Sequence, residues 1–372
     1  MRRWCCFSIL LLAIVANAQH QRNPAKAVPD GNVCVKPSAV ATARPKIRGG
    51  YTTLAVSNGG RWLAISSNED DPVQLWDAHS SLPPNVWPNT SRGLPIQFTP
   101  DASKLLIQST TSHQEDSKQL ISVCAVPSGK VLRRFTFSQD FFASWCDNSR
   151  FRVVQERQLV EFDLKSGHRH IETMEQAPEV GEDSSSDPHY SFSRNGAFII
   201  EGSHGTIRWW RARDGKLLGQ IKDRLRAIGR TVISRDGRWI ASEGDDPNFK
   251  PSSIGMSEAA NMRQLNFYVW NARTRKLQNT FPGSFLGSAN LLEFSSDGRT
   301  VFHTGYNLRR FNLLTGIDSA TTPNGLPMAL SPDGYWLGDL HQQGFKLSLQ
   351  IWSAPAPKLK ASLFLPDALP GE

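Results

Sequence analysis

The chain has 372 residues, of which 39% are hydrophobic and 20% charged, with a formal net charge of +8. That composition is ordinary for a globular protein and leaves room for two small domains or one large all-β domain. Five cysteines in a chain of this size exclude a disulfide scaffold.

The first element is "MRRWCCFSILLLAIVANAQH", with two arginines, an apolar run from Trp4 to Val15 and small residues ending at Ala18. It reads as a secretory signal, residues 1–18, cleaved after Ala18; the run is too short for a membrane span. Cleavage removes Arg2 and Arg3 and lowers the net charge from +8 to +6. It also leaves Cys34, Cys124 and Cys146, an odd set; the latter two lie in apolar runs and are expected as buried free thiols. Residues 19–50 follow as a leader, with a candidate latch strand in "GNVCVKPSAVATARPKIRGG".

From Tyr51 the chain repeats. Aligned on the turn of "SRDGRWIASEG" (Ser234 to Gly244), equivalent positions are Gly59, Asp101, Asp147, Asn195, Asp236, Asp297 and Asp333. Their spacings are 42, 46, 48, 41, 61 and 36 residues. The next position holds Gly60, Ala102, Asn148, Gly196, Gly237, Gly298 and Gly334. Glycine and asparagine suit a residue with positive φ, so Ala102 is expected to mark an altered turn. Two residues before the acidic position a hydroxyl recurs six times, broken by Trp145; three after it stands Trp62, Phe198, Trp239 or Trp336 in four copies.

Each copy continues to a strand with a hydrophobic or aromatic ending: "VQLWD", "ISVCAV", "LVEFDL", "TIRWWRA", "FYVWNA", "LRRFNL" and "LQIWSA". Several add a polar turn and a fourth strand, as in "RDGKLLGQI". Seven units of four strands at a period near 40 predict a seven-bladed all-β propeller of antiparallel blades over residues 51–366, with a tail at 367–372. Apolar residues at consecutive positions, as in "RWIAS", need burial on both faces of a blade, and stacking in a ring supplies it.

The S-x-D-G-[RY]-W turns and the "LWD", "VWN" and "IWS" strand endings followed by "SGK" or "DGK" resemble the WD-repeat family in a divergent, exported bacterial form. The resemblance implies the propeller and a protein-binding or scaffold role. Only Trp76-Asp77 is a literal Trp-Asp pair and no Gly-His pair opens a repeat, so that family's buried His-Asp-Ser-Trp network is not carried over.

In such a ring the loops joining second to third strands, and each blade to the next, share one face, where function is usually grafted. The largest insertion is "GDDPNFKPSSIGMSEAANMRQL" (Gly244 to Leu265) in blade five. The candidate binding residues on this face are Asp70, Asp71, Glu115, Asp116, Asp245, Asp246, Phe249 and Lys250. Trp87 in "PPNVWP" stands outside the repeat positions and reads as an exposed aromatic.

Enzymatic propellers gather catalytic groups at the channel mouth, where this chain offers Asp140, Asp187, Asn290 and Glu293. These define an alternative, a calcium-dependent hydrolase of lactonase type; a carbohydrate-binding propeller using Phe249 and Trp87 is another. His113, His204, His303 and His341 follow no metal-ligand spacing, and there is no G-x-S-x-G elbow, P-loop or dinucleotide fingerprint. The expectation is a secreted or periplasmic, non-catalytic monomer without metal or cofactor. It would hold a protein partner or cell-envelope component, with no nucleic acid and no transmembrane segment in the mature chain.

Overall fold

A computed structural model describes residues 53–364, apart from the connecting segments 67–70, 81, 91–92, 111–117, 138–140, 156, 178–188, 204, 223–227, 246–264, 283–290, 305–307, 322–327, 344–345 and 355–358. They belong to the unit Val33–Glu372. The signal, the leader with its candidate latch strand, and the tail lie outside the described residues.

Seven four-stranded antiparallel sheets follow one another along the chain, each with its strands in sequence order. The blades span 53–87, 94–137, 142–173, 189–222, 228–282, 292–321 and 328–364. Blade five shows the pattern: Ile228–Ile233 is innermost, followed by Trp239–Asp245, Leu265–Asn271 and Lys276–Pro282 at the rim. The architecture is the expected seven-bladed β-propeller.

Sequential antiparallel strands put the first-to-second and third-to-fourth turns at one end of a blade and the remaining connections at the other. Between first and second strands the turn is held by side chain as well as backbone. In blade five, Gly237 N–H donates to Ser234 O (2.9 Å), Ser234 Oγ donates to Asp236 Oδ1 (2.7 Å), and Trp239 N–H donates to Ser234 Oγ (3.0 Å). Blades two, four, six and seven repeat this clasp through Thr99–Asp101, Ser193–Asn195, Ser295–Asp297 and Ser331–Asp333. Blade three, where Trp145 replaces the hydroxyl, uses Asp147 alone, whose Oδ1 accepts from Ser149 N–H (2.7 Å) and Arg150 N–H (2.9 Å).

Two expectations about these turns are corrected. Ala102 does not alter its turn: it takes φ 58° and keeps the bond from its N–H to Thr99 O at 2.9 Å. Asn148 does not adopt positive φ, because the blade-three turn closes differently, through Cys146 N–H to Arg150 O.

The turn glycines are also where blades meet. A Cβ on Gly237 would lie 2.6 Å from Phe198 Cζ of blade four, and one on Gly60 would lie 2.7 Å from Trp336 Cδ2 of blade seven. The Gly60 contact closes the ring. Asp333 N–H donates to Asn58 Oδ1 (2.8 Å), and Leu54, Leu63, Ile65 and Trp76 share a core with Leu340, Leu349 and Ile351. Blade seven draws its rim strand, Leu359–Phe364, from its own segment.

Tryptophans at the repeat positions fill the layers between blades, with Trp145, Trp210 and Trp270 almost fully buried. Trp87, expected to be exposed, is buried too. Its indole N–H donates to Pro127 O (3.2 Å) and its ring lies where a Cβ on Gly129 would be, so it offers no carbohydrate platform. Cys124 is buried and Cys146 half-buried; both are free, and burial pushes each thiol up to about 12.

A left-handed non-glycine residue costs about 1–2 kcal/mol. Gly60→Ala is therefore expected to lower the unfolding free energy by at least ~1–2 kcal/mol, with the Trp336 clash added. Ala102→Gly should raise it by up to ~1 kcal/mol, glycine's greater unfolded-state entropy offsetting part of the relief. Urea unfolding of both variants checks this; a destabilised Ala102→Gly would contradict it.

Candidate functional site

The two ends of the ring differ. At the turn end, connections are short in every blade, such as 57–61, 99–103, 193–197 and 234–238 between first and second strands. At the loop end they run from 204–205 in blade four to 246–264 in blade five, with 111–118 in blade two and 174–188 between blades three and four.

Most of the loop-face candidates, Asp70, Glu115, Asp116, Asp246, Phe249 and Lys250, lie outside the described residues. Asp71 is half-buried just before the third strand of blade one. Asp245 is the last residue of its strand, paired with Leu265, so the insertion 246–264 leaves and re-enters the sheet at a paired step. Of the channel-mouth set, Asp140, Asp187 and Asn290 also lie outside the described residues.

Glu293, the remaining member, sits on the innermost strand of blade six, Leu292–Phe294. Its carboxylate faces two cations, Arg194 Nε at 3.4 Å and Arg230 Nη2 at 3.7 Å. Arg194 comes from the blade-four turn and reaches across the ring, its Nη1 donating to Leu330 O (2.9 Å) and Ser331 O of blade seven. Blades four and seven are not neighbours, so this side chain is a strut across the turn-end mouth of the channel. Burial pulls the Arg194 guanidinium down from its ordinary value; Glu293 opposes that shift and Arg230 adds to it.

Beside the strut is a shallow recess, lined among others by Arg235, Ser295, Pro332 and Asp333. Glu293 is therefore committed to ion pairs. Among the described residues no group of three or more His, Cys, Asp or Glu side chains converges as a metal site would require.

Arg194 escaped the sequence reading, although its position carries a signal. The residue before the acidic position is Asn58, Pro100, Cys146, Arg194, Arg235, Ser296 or Pro332, and only blades four and five place a long cation there. A second pattern lies on the second strands. Six residues after the acidic position stand Ile65, Ile107 and Val153 in blades one to three, but Glu201, Ser242, His303 and Asp339 in blades four to seven. All seven are buried.

The polar four are handled one by one. Arg208 Nη1 lies 2.8 Å from Glu201 Oε1, and Ser242 Oγ lies 2.8 Å from Thr231 Oγ1. His303 sits 4.3 Å and 5.1 Å, ring to ring, from Phe267 and Phe281; burial lowers it to about 3 and it stays neutral. Asp339 accepts from Trp352 Nε1 (3.0 Å), while its Oδ2 has no hydrogen-bond partner among the described residues. Burial pushes this carboxyl up to about 7, with the Trp352 bond opposing.

Two outcomes follow from these groups. Arg194→Met leaves Glu293 and two carbonyls short of a partner and is expected to cost about 3 kcal/mol. A double-mutant cycle with Glu293→Gln should then recover part of that loss; a single variant as stable as wild type would contradict the strut. For Asp339 the native state holds its proton more tightly than the unfolded chain does. Stability is therefore lost as pH rises from about 4 through 7. The wild type should lose roughly 2–4 kcal/mol relative to Asp339→Asn between pH 4 and pH 8, read from unfolding midpoints; parallel pH profiles would contradict it.

No family model and no curated protein sequence matches this chain. Among solved structures, it is similar to Kuenenia stuttgartiensis hydrazine synthase, at 14% identity and a TM-score of 0.59, over 83% of this chain and 97% of that one. It is also similar to a chain of a mitotic checkpoint complex, at 17% identity and a TM-score of 0.54, over 90% and 96%. At these identities the likeness is one of fold, and the fold shared is the β-propeller.

Proposed function

We propose that the chain is a secreted or periplasmic scaffold of the divergent WD-repeat type, without a reaction of its own. As a monomer it holds a protein partner or cell-envelope component on its loop-bearing face. The observation that carries this reading is the contrast between the two ends of the ring: uniform turns at one, connections of very unequal length at the other. A repeat that keeps one face constant and varies the other uses its blades to position the variable segments. The largest of these, 246–264, springs from strands paired to their last residues, so its ends are held at a set separation.

Support also comes from the turn-end mouth of the channel. Arg194 crosses it, and Glu293, the described member of the hydrolase candidates, is bound to two arginines. The exported address rests on the two arginines, the apolar run and the small residues ending at Ala18 in residues 1–18.

Removing residues 246–260 from the mature protein should leave its melting temperature within a few degrees, since loop length weighs little on stability. The same deletion should abolish capture of the partner from the native envelope. Undiminished capture by the shortened protein would place the binding surface elsewhere.

A further inference from the structure

The turn end of the ring carries a feature that the fold does not require. The third-to-fourth turn has the same build in several blades, and comparing blades shows which of its side chains are free to vary. In blade three, Lys165 N–H donates to Asp163 Oδ1 (2.8 Å) and Gly167 N–H to Asp163 O (2.9 Å). In blade six, Leu314 N–H donates to Asn312 Oδ1 (2.9 Å) and Gly316 N–H to Asn312 O (2.9 Å). The two outward positions of this turn hold Lys165 and His168, Arg213 and Lys216, or Arg273 and Lys276 in blades three to five. In blade six they hold Leu314 and Ile317. The same hydrogen bonds form with cations or aliphatics, so the aliphatics are not there to make the turn.

They are also exposed. Leu314 is 70% and Ile317 61% accessible, and Tyr335, on the first turn of blade seven, is 52%. Leu82, on the third-to-fourth connection of blade one, is 74% accessible. No other exposed large apolar side chain among the described residues exceeds 46%. Blades six, seven and one are consecutive around the ring, joined through Leu308 with Leu337 and through Gly60 with Trp336. The four side chains therefore lie at the turn end of three consecutive blades, beside exposed Arg299 and Lys360 and the turn carboxylates Asp77, Asp297 and Asp333, with the cationic turns of blades three to five further round. Scattered apolar residues need no explanation, but a sector of them at turn tips on one face does.

We propose that the turn end of the ring, through Leu82, Leu314, Ile317 and Tyr335 with the cationic turns of blades three to five, docks on an anionic lipid bilayer. Aliphatic and aromatic tips on a face that also carries turn cations in other blades are the chemistry that binds such an interface, burying apolar area while the cations meet the headgroups. The shape of this face favours a bilayer over a peptide. It is built of short turns, the channel mouth is crossed by Arg194, and the recess beside it is shallow and offers no groove for a chain segment. This docking is independent of the loop-face reading and uses the opposite end of the ring.

The test is co-sedimentation of the mature protein with vesicles of phosphatidylglycerol and phosphatidylcholine in equal parts, and with phosphatidylcholine alone. The wild type is expected to bind the anionic vesicles and not the neutral ones. The decisive variant is Leu314→Lys with Ile317→Lys, which adds positive charge at positions where blade four folds with Arg213 and Lys216. It should melt as the wild type does yet bind roughly tenfold more weakly or less, from the loss of two buried aliphatic side chains. A Leu314→Trp variant should show a blue shift of its emission on adding anionic vesicles. Equal or tighter binding by the lysine variant would reduce the effect to adsorption by charge and overturn the proposal. So would a wild type that ignores anionic vesicles, or a self-associated wild type that the lysine variant makes monomeric.

Discussion

The ring rests on the first-to-second turn, which bends through left-handed backbone in every blade but the third. Where that position is glycine, the preceding blade can lay an aromatic ring against it, as Trp336 does at Gly60 and Phe198 at Gly237. The hydroxyl clasp beneath, Ser234 to Asp236 with Trp239 N–H returned to Ser234 Oγ, fixes the same turn from within the blade. Each such hydrogen bond contributes on the order of 1 kcal/mol net, but its main effect is geometric. It holds the innermost strand in register with the second, and hence the apolar layers of neighbouring blades face to face.

Ring closure then follows from repetition. Blade seven meets blade one through the same glycine–aromatic contact that joins blades four and five. The interfaces are nonetheless not identical. Blades one to three pack through Ile65, Ile107 and Val153, whereas blades four to seven bury Glu201, Ser242, His303 and Asp339 at the equivalent position. Each polar group makes its own demand, an arginine for Glu201 and an indole N–H for Asp339. The Arg194 strut, from blade four to blade seven, ties together the two ends of this polar half. The ring thereby has two different ends, one with connections of unequal length and the other built of short turns.

The fold was legible because its specification is local and repeated: turn residues at a period near 40, hydroxyls two places before, aromatics three places after. The errors were local as well. Ala102 was expected to disturb its turn, yet the Thr99–Asp101 clasp and the bond from its N–H to Thr99 O hold it at φ 58°. Trp87 stands outside the repeat positions and its pattern points to the surface, but the third-to-fourth turn of the next blade brings Pro127 O and Gly129 to its ring. Arg194, Glu293 and Leu330 are joined only by the closed ring, across separations no window of sequence reveals. The apolar sector of blades six, seven and one was missed for a related reason: Leu314 and Ile317 look like core residues until the register turns them outward.

Native-state hydrogen exchange of the protein tests the central claim most directly, namely that the first-to-second turns and their contacts with the neighbouring blade close seven blades into one cooperative ring without exchange of a strand. The clasped amides of Trp62 in blade one and Trp336 in blade seven should exchange as slowly as that of Trp239 in blade five, through global unfolding alone. Faster exchange at Trp62 and Trp336, by an opening confined to the junction of the first and last blades, would contradict that claim.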